Sequence, residues 1–283
     1  MIASLHNGVT ALKSLTQGLQ TLGNNIANVN SLGYKSTRVN YSDNFYLHVQ
    51  DAESNGDGGP SNQVQQFGTG VHVGSVSSNF NQGTIEVTGL DLDLAIEGGA
   101  LPNSGGFFEV SDPATGELFY TRAGSCETTL EGLVVTRDRF RYQLQGKDGS
   151  LLLGVKDGET LLARRVEEDG KVNLLVNKDG LDTLRLAGQV KLVNFSAPQY
   201  LRRVGNGYFS NGQTGQNLAG KLDNSLPTIG SNGKIRQYAL ELSNVDLTNE
   251  FASMITHQRS FQAGSRVVTT SDMILSEAVN LKR

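Results

Sequence analysis

The residues of this chain that could do chemistry are few and scattered. Asp91 and Asp93 share one face of a strand-like run, as a pair of acid–base carboxylates would need. Asp91 and Glu97 lie near turns, so the expectation is solvated side chains. Ser125 stands beside Cys126, yet no histidine or aspartate that could activate either is identifiable from the sequence. His6, His48, His72 and His257 lie far apart with no pair at i, i+4, and His257 reads as the polar flank of a helix. A histidine-based metal or catalytic centre is therefore not expected. Gly68-Thr-Gly70 has no third glycine at dinucleotide spacing and no helix after it, so it reads as a turn. Cys126 is the sole cysteine, which excludes an intrachain disulfide and a multi-cysteine metal site. A hydrolase on a β-rich scaffold is the rival enzymatic reading, but neither a triad nor a metal cluster is visible. The expectation is a protein without cofactor or metal that is not an enzyme.

Composition narrows the class further. The 283 residues make one large domain or two modest ones. Hydrophobic residues are 37% and charged residues 18%, both below globular averages, and the difference goes to 34 glycines and many small polar residues. The net charge of −4, without a basic block, argues against a nucleic-acid binder. No apolar run approaches the length of a membrane span, and the N-terminus shows no cleavable signal peptide.

The elements that must position any site differ between the ends and the middle. Leu5, Val9, Leu12, Leu15, Leu19, Leu22, Ile26 and Val29 recur at steps of three and four, predicting an amphipathic helix that stops between Gly23 and Asn30. At the other end Leu247, Phe251, Met254, Phe261, Val268, Leu275 and Val279 form a heptad series, widened by Ile255 and Ile274. Gln258, Ser265 and Asp272 occupy its polar slots, and Ser243 to Asp246 supply cap candidates. Gly8 and Gly18 each cost the first helix about 1 kcal/mol against alanine. Between the ends the period changes to two, in runs beginning at Val71, Thr84, Leu92, Phe107, Leu118, Leu133, Tyr142 and Val190. Asp-Gly pairs at 148–149, 157–158, 169–170 and 179–180 read as hairpin turns. Residues 51–66 read as a flexible connector, and 205–234 as loop-rich.

The run from Leu22 to Ser36, with its Asn-rich turn and Gly33-Tyr-Lys35, resembles the N-terminal signature of bacterial flagellar hook and basal-body rod proteins. Phe67 to Val71, Asn79 to Gly83, Leu92 to Ile96, Gly106 to Phe108 and Tyr120 to Gly124 are similar to successive blocks of that family. So are Leu240 to Leu247, Met254 to Phe261 and the terminal Asn280 to Arg283. The resemblance thins between Lys147 and Gly188. Two departures are a longer Glu97–Gly105 loop and Cys126 in place of an aromatic residue.

The resemblance implies an α+β fold: a mainly β central domain, with N- and C-terminal helices pairing as a coiled coil. Residues 1–30 with 245–283 would form the helical part, 31–70 a connector with a flexible loop, and 71–244 the β domain. The implied function is a structural subunit that self-assembles into the hollow flagellar hook, a flexible universal joint. The alternative is a subunit of the distal rod, a rigid drive shaft, whose relatives have an extra loop similar to 46–66. The assembly seam would comprise Leu5, Val9, Leu12, Leu15, Leu19, Leu22, Ile26, Leu247, Phe251, Met254, Phe261, Val268 and Leu275. Asn24, Asn25, Asn28 and Gly33 would turn the chain. Implied partners are further copies in a helical tube, with helices lining the inside and β domains the wall. Neighbouring rod, hook-cap and hook–filament junction proteins and the flagellar export apparatus are also implied, but neither nucleic acid nor membrane insertion. The place would be the extracellular hook or the periplasmic rod, reached without a cleaved signal. An adhesin or phage-tail-like fibre shares the β runs but gives no reason for matched terminal helices.

Overall fold

The structure, a computed structural model, describes residues 2–50, 64–98, 106–154, 160–178, 181–212, 219–222, 226–227 and 233–281. It is α+β and mainly β, with two long helices and many short strands. The chain divides into two units. The first collects Met1–Ala27, Thr37–Ser77 and Asp246–Arg283; the second collects Asn28–Ser36 and Ser78–Val245.

In the first unit, α1 spans Ile2–Ala27 and α2 spans Leu247–Asn280. The helical period of leucines sustains α1, and the Asn-rich turn ends it, where Ser31 N donates to the Asn28 carbonyl at 3.1 Å. Of the cap candidates before α2, Asp246 is the one used: its carboxylate accepts from the backbone of Thr248 (2.9 Å) and Asn249 (3.3 Å). The 34 residues of α2 reach about 51 Å at 1.5 Å per residue. Strand Thr37–Asp43 pairs with Val71–Ser78, and Tyr46–Gln50 forms an antiparallel hairpin with Gln65–Gly68. No strand is expected from the sequence at 37–50, and Gln65 and Gln66 fall in the run expected as a connector. These strands are mostly exposed on both faces, so no alternation of apolar and polar residues marks them. Residues 51–63 of that connector lie outside the described residues.

In the second unit each period-two run carries a strand. The largest sheet is ten-stranded, and its main path runs through Arg202–Gly205, Tyr208–Ser210, Leu118–Thr121, Phe107–Ser111, Gln143–Gly146, Val134–Thr136 and Cys126–Thr128. Phe107 and Phe108 are both 1% exposed yet serve different cores, because adjacent strand residues point to opposite faces. Phe108 joins Leu94, Ile96, Val110 and Leu144 in the larger cluster. Phe107 packs edge-on against Phe195 with ring centroids 5.7 Å apart, in the smaller one. A separate antiparallel sheet, Thr160–Val166, Lys171–Lys178 and Leu181–Gln189, fills the stretch where the resemblance thins. Gly170, at φ +77°, makes its first turn, as Asp169-Gly170 predicts, and Gly149 turns a second hairpin. Asp157-Gly158, Asp179-Gly180 and residues 99–105 of the enlarged loop lie outside the described residues. The stretch read as loop-rich contains strands at Tyr208–Ser210 and Lys221–Leu222.

Two glycines separate packing from propensity. A Cβ on Gly124 would overlap the Leu94 carbonyl oxygen, which is backbone and cannot swing aside, whereas a Cβ on Gly23 in α1 meets nothing within 4 Å. Gly124→Ala is expected to cost roughly 3 kcal/mol, and Gly23→Ala to stabilise by about 0.5–1 kcal/mol. Urea unfolding of each variant checks this; equal effects would show that the backbone at Gly124 yields.

Candidate functional site

Helices α1 and α2 run antiparallel, and small or polar residues form the line where they meet. Ser4 Oγ lies 3.3 Å from Ser271 Oγ, and Asn25 Nδ2 donates to Glu250 Oε1 at 3.2 Å. Between them, a Cβ on Gly8 would stand 2.8 Å from Val268 Cγ2, one on Gly264 3.2 Å from Leu12 Cδ2, and one on Gly18 3.0 Å from His257 Cδ2. The glycines read from sequence as a cost to the helix thus admit the facing helix. The small or polar residues of the contact line are Glu250, His257, Gly264 and Ser271, rather than the series of Gln258, Ser265 and Asp272. His257 Nδ1 faces the Ser253 carbonyl at 2.9 Å, which can only accept, so Nε2 is left to accept from the Tyr41 hydroxyl at 3.2 Å.

The large apolar residues stand beside this line. Leu5, Val9, Leu12, Leu15, Leu19, Leu22 and Ile26 are half-buried, as are Met254, Val268 and Leu275. Leu247, Phe251 and Phe261 are exposed, Phe251 at 48%. Ile255, Ile274 and Val279 are exposed as well, and Ser271 is the single buried side chain among the described residues of α2.

The residues read as the turn divide. Asn24 and Asn25 lie inside α1, and Asn25, 1% exposed, binds rather than turns. Its Nδ2 donates to the Thr37 carbonyl at 2.8 Å, and its Oδ1 accepts from Thr37 N (3.0 Å) and Oγ1 (3.1 Å). Asn28 follows the helix and accepts from Ser31 Oγ at 3.1 Å. Gly33 takes φ +63°, and a Cβ there would stand 2.7 Å from Ala123 N.

Within the second unit the resemblance motifs converge on a cluster of buried ions that sequence reasoning missed. Lys35 Nζ donates to Glu241 Oε1 at 2.6 Å, and Arg122 Nη1 donates to Glu241 Oε2 at 3.2 Å. Lys35 and Glu241 are 0% exposed and Arg122 2%. Glu241 Oε1 also accepts from Gly83 N at 2.8 Å, and its backbone carbonyl accepts from Gly33 N at 2.8 Å. Lys35 reaches the Asn81 carbonyl at 2.8 Å. Arg122 covers the Phe107 ring at 5.0 Å, while Arg203 donates to the Lys35 carbonyl and covers Tyr34 at 5.1 Å. Asn244 completes the junction: its Oδ1 accepts from Ser36 N at 2.7 Å, and its Nδ2 donates to the carbonyls of Asn79 and Asn81. The signal in the sequence was a lone charge inside an otherwise apolar strand, Ala239-Leu-Glu-Leu242.

Asp91 is exposed, but Asp93 is 1% exposed, against the expectation of solvation: it accepts from Thr88 Oγ1 at 2.6 Å and lies 3.5 Å from Arg137. Its backbone forms an isolated antiparallel bridge with Ser125. Cys126 belongs to the larger core, and burial pushes its thiol up to about 12, far from a reactive thiolate. Gly68-Thr-Gly70 is a turn, with Gly70 at φ +109°. Among the described residues no cluster of metal-ligating side chains occurs, and no helix is long and apolar enough to cross a membrane.

Known proteins agree with the motif reading at family level. Residues 236–281, which include Glu241 and the whole of α2, match the family model described as flagellar basal body rod FlgEFG protein C-terminal. The flagellar basal-body rod protein FlgG of Bacillus subtilis is 32% identical over the full length of both chains. The FlgG protein of Caulobacter vibrioides is 30% identical over 99% of each, and the flagellar hook-basal body complex protein FlhP of Bacillus subtilis 27% over 97% of each. The chain belongs to the flagellar basal-body rod protein family. As a member of this family it is a structural component of the flagellum. The preference for the hook drawn from the motifs finds no support in these end-to-end matches, which favour the rod alternative.

Two outcomes follow for the ion cluster of this rod-family chain. Glu241→Gln leaves two buried cations without their counter-charge and should cost about 3–5 kcal/mol, read by urea unfolding. Burial, and then Arg122, lower the Lys35 pKa from 10.5 to about 8, with Glu241 acting in the other direction. Between those values the unfolded chain binds more proton than the folded one, so this residue's contribution to stability rises with pH. Wild type should therefore gain on Lys35→Met as pH goes from 8 to 10.5; a constant gap would mean that Lys35 keeps an ordinary pKa.

Proposed function

We propose that the chain is a subunit of the distal rod, the stiff drive shaft of the flagellar basal body, and polymerises helically through its terminal helices. The observation that carries this is α2: 34 residues long, it leaves Phe251, Ile255, Phe261, Ile274 and Val279 at 37–67% exposure. Large apolar side chains left exposed over so much of a helix's circumference call for further helices. In this reading α1 and α2 form a coiled-coil pair, and the leucine and phenylalanine seam is completed by neighbouring copies. The residues named as the seam serve assembly, 1–30 with 245–283 act as the polymerising domain, and 71–244 act as the outer β domain. Neighbouring axial proteins are the partners at either end, and the flagellar apparatus is the route of export.

The rod is favoured over the hook because full-length relatives carry the rod name, and because the hairpin at 46–50 and 65–68 belongs to the stretch likened to the distal-rod loop. Electron microscopy of polymers grown from the purified chain should show straight, stiff tubes; curved, supercoiling tubes would return the assignment to the hook. Phe251→Glu should abolish polymers while leaving the near-ultraviolet circular dichroism of the monomer unchanged. Polymers formed by that variant at wild-type concentration would remove the helix seam from the assembly.

A further inference from the structure

The last segment of the second unit closes it from late in the sequence. Lys234–Gln237 pairs with Leu94–Glu97, and Ala239–Glu241 with Ile85–Val87. Ile235, Ala239 and Leu240 are buried. The Gln237 side chain donates to the carbonyls of Asp91 (2.8 Å) and Arg164 (3.0 Å) and accepts from Val166 N (2.9 Å). The same segment brings Glu241 to Lys35 and Arg122, which stand 206 and 119 residues earlier in the chain.

Without Glu241 the interior would hold two cations and no counter-charge. Like charges withdrawn from water repel and also lose their hydration, so the pair opposes docking of the backbone that carries it. That backbone has native hydrogen bonds of its own beside each cation. Asn79 N donates to the Ser36 carbonyl at 2.8 Å, and Leu94 N to the Gly124 carbonyl at 3.0 Å; neither bond uses residues 234–245.

We infer that Lys35 and Arg122 form a charge lock on the order of folding. The segment 28–36 and the turn after Leu118–Thr121 stay undocked until Glu241 arrives, and the second unit closes in one step. A chain emerging N-terminus first then carries an open second unit until residue 241 is free. This holds whether or not the chain builds a rod, since it concerns closure of a single copy.

The test is refolding of the full-length chain with pulsed hydrogen exchange, read amide by amide. In wild type the Asn79 and Leu94 amides should gain protection no earlier than those of Ile235 and Leu242, which donate to the Glu168 and Thr84 carbonyls. In a variant combining Lys35→Met, Arg122→Met and Glu241→Leu, Asn79 and Leu94 should be protected at least tenfold sooner than Ile235 and Leu242. If the triple variant does not fold, Lys35→Met alone, which keeps the Arg122–Glu241 pair, should advance Asn79 in the same sense. Early protection of Asn79 and Leu94 in wild type overturns the lock. So does a coincidence that persists after the charges are removed.

Discussion

A carboxylate with no access to water must be surrounded by donors, and Glu241 sets that requirement for the second unit. Its two oxygens take a lysine, an arginine and a backbone amide, drawn from Lys35, Arg122 and Gly83. Stripping such charges of water costs several kcal/mol per ion, and well-packed apolar residues often serve stability equally well. What the ions add is discrimination between arrangements. An apolar side chain accepts many neighbours, whereas Glu241 accepts only a geometry that supplies both cations. Gly33, whose amide binds the Glu241 carbonyl, and Asn244, which gathers the segments at 34–36 and 79–81, then fix the backbone around that choice.

The first unit rests on the opposite use of chemistry. Its helices approach through Gly8, Gly18, Gly264 and a pair of serines, so little apolar surface is consumed where they touch. Small residues at a helix contact permit closeness at the expense of helix propensity. Large side chains displaced to the flanks keep their surface in reserve. Covering the exposed half of five such residues contributes about 1 kcal/mol each, a sum comparable to the net stability of a small domain.

How much of this was legible depends on the kind of pattern involved. Helices were legible because three- and four-residue steps persist over many turns, and the run from Phe107 was legible as a strand, although its burial on both faces came only from the structure. The strands at 37–50 and 65–68 were not, since a ribbon wetted on both sides has no periodicity. Asn25 is a turn former by residue type, but its side chain bonds Thr37 across twelve positions, a relation no local rule contains. Lys35, Arg122 and Glu241 escaped for a related reason. Charge is read as solvent-facing by default, and the exception appears only when three distant segments are superposed. Asp93 failed in the same way, and the contact line between the helices fell one position from the polar slots because bulk, rather than polarity, decides where two helices can touch.

Each unit thus breaks the ordinary rule of charges outside and apolar groups inside, in opposite senses. Buried ions are worthless between copies that meet by diffusion unless desolvation is repaid at every contact, but inside one chain they are assembled once and select one closure. Exposed apolar stripes are a hazard to a solitary chain, but they bind any complementary helix without demanding a particular donor, which suits repeated addition of identical subunits. In the assembly proposed above, the labour divides accordingly: specificity is settled within the copy by Glu241 and its cations, and affinity is held back for the seam around Phe251 and Phe261. An arrangement with ions on the seam and leucines at Lys35 and Arg122 would fold more permissively and polymerise less readily.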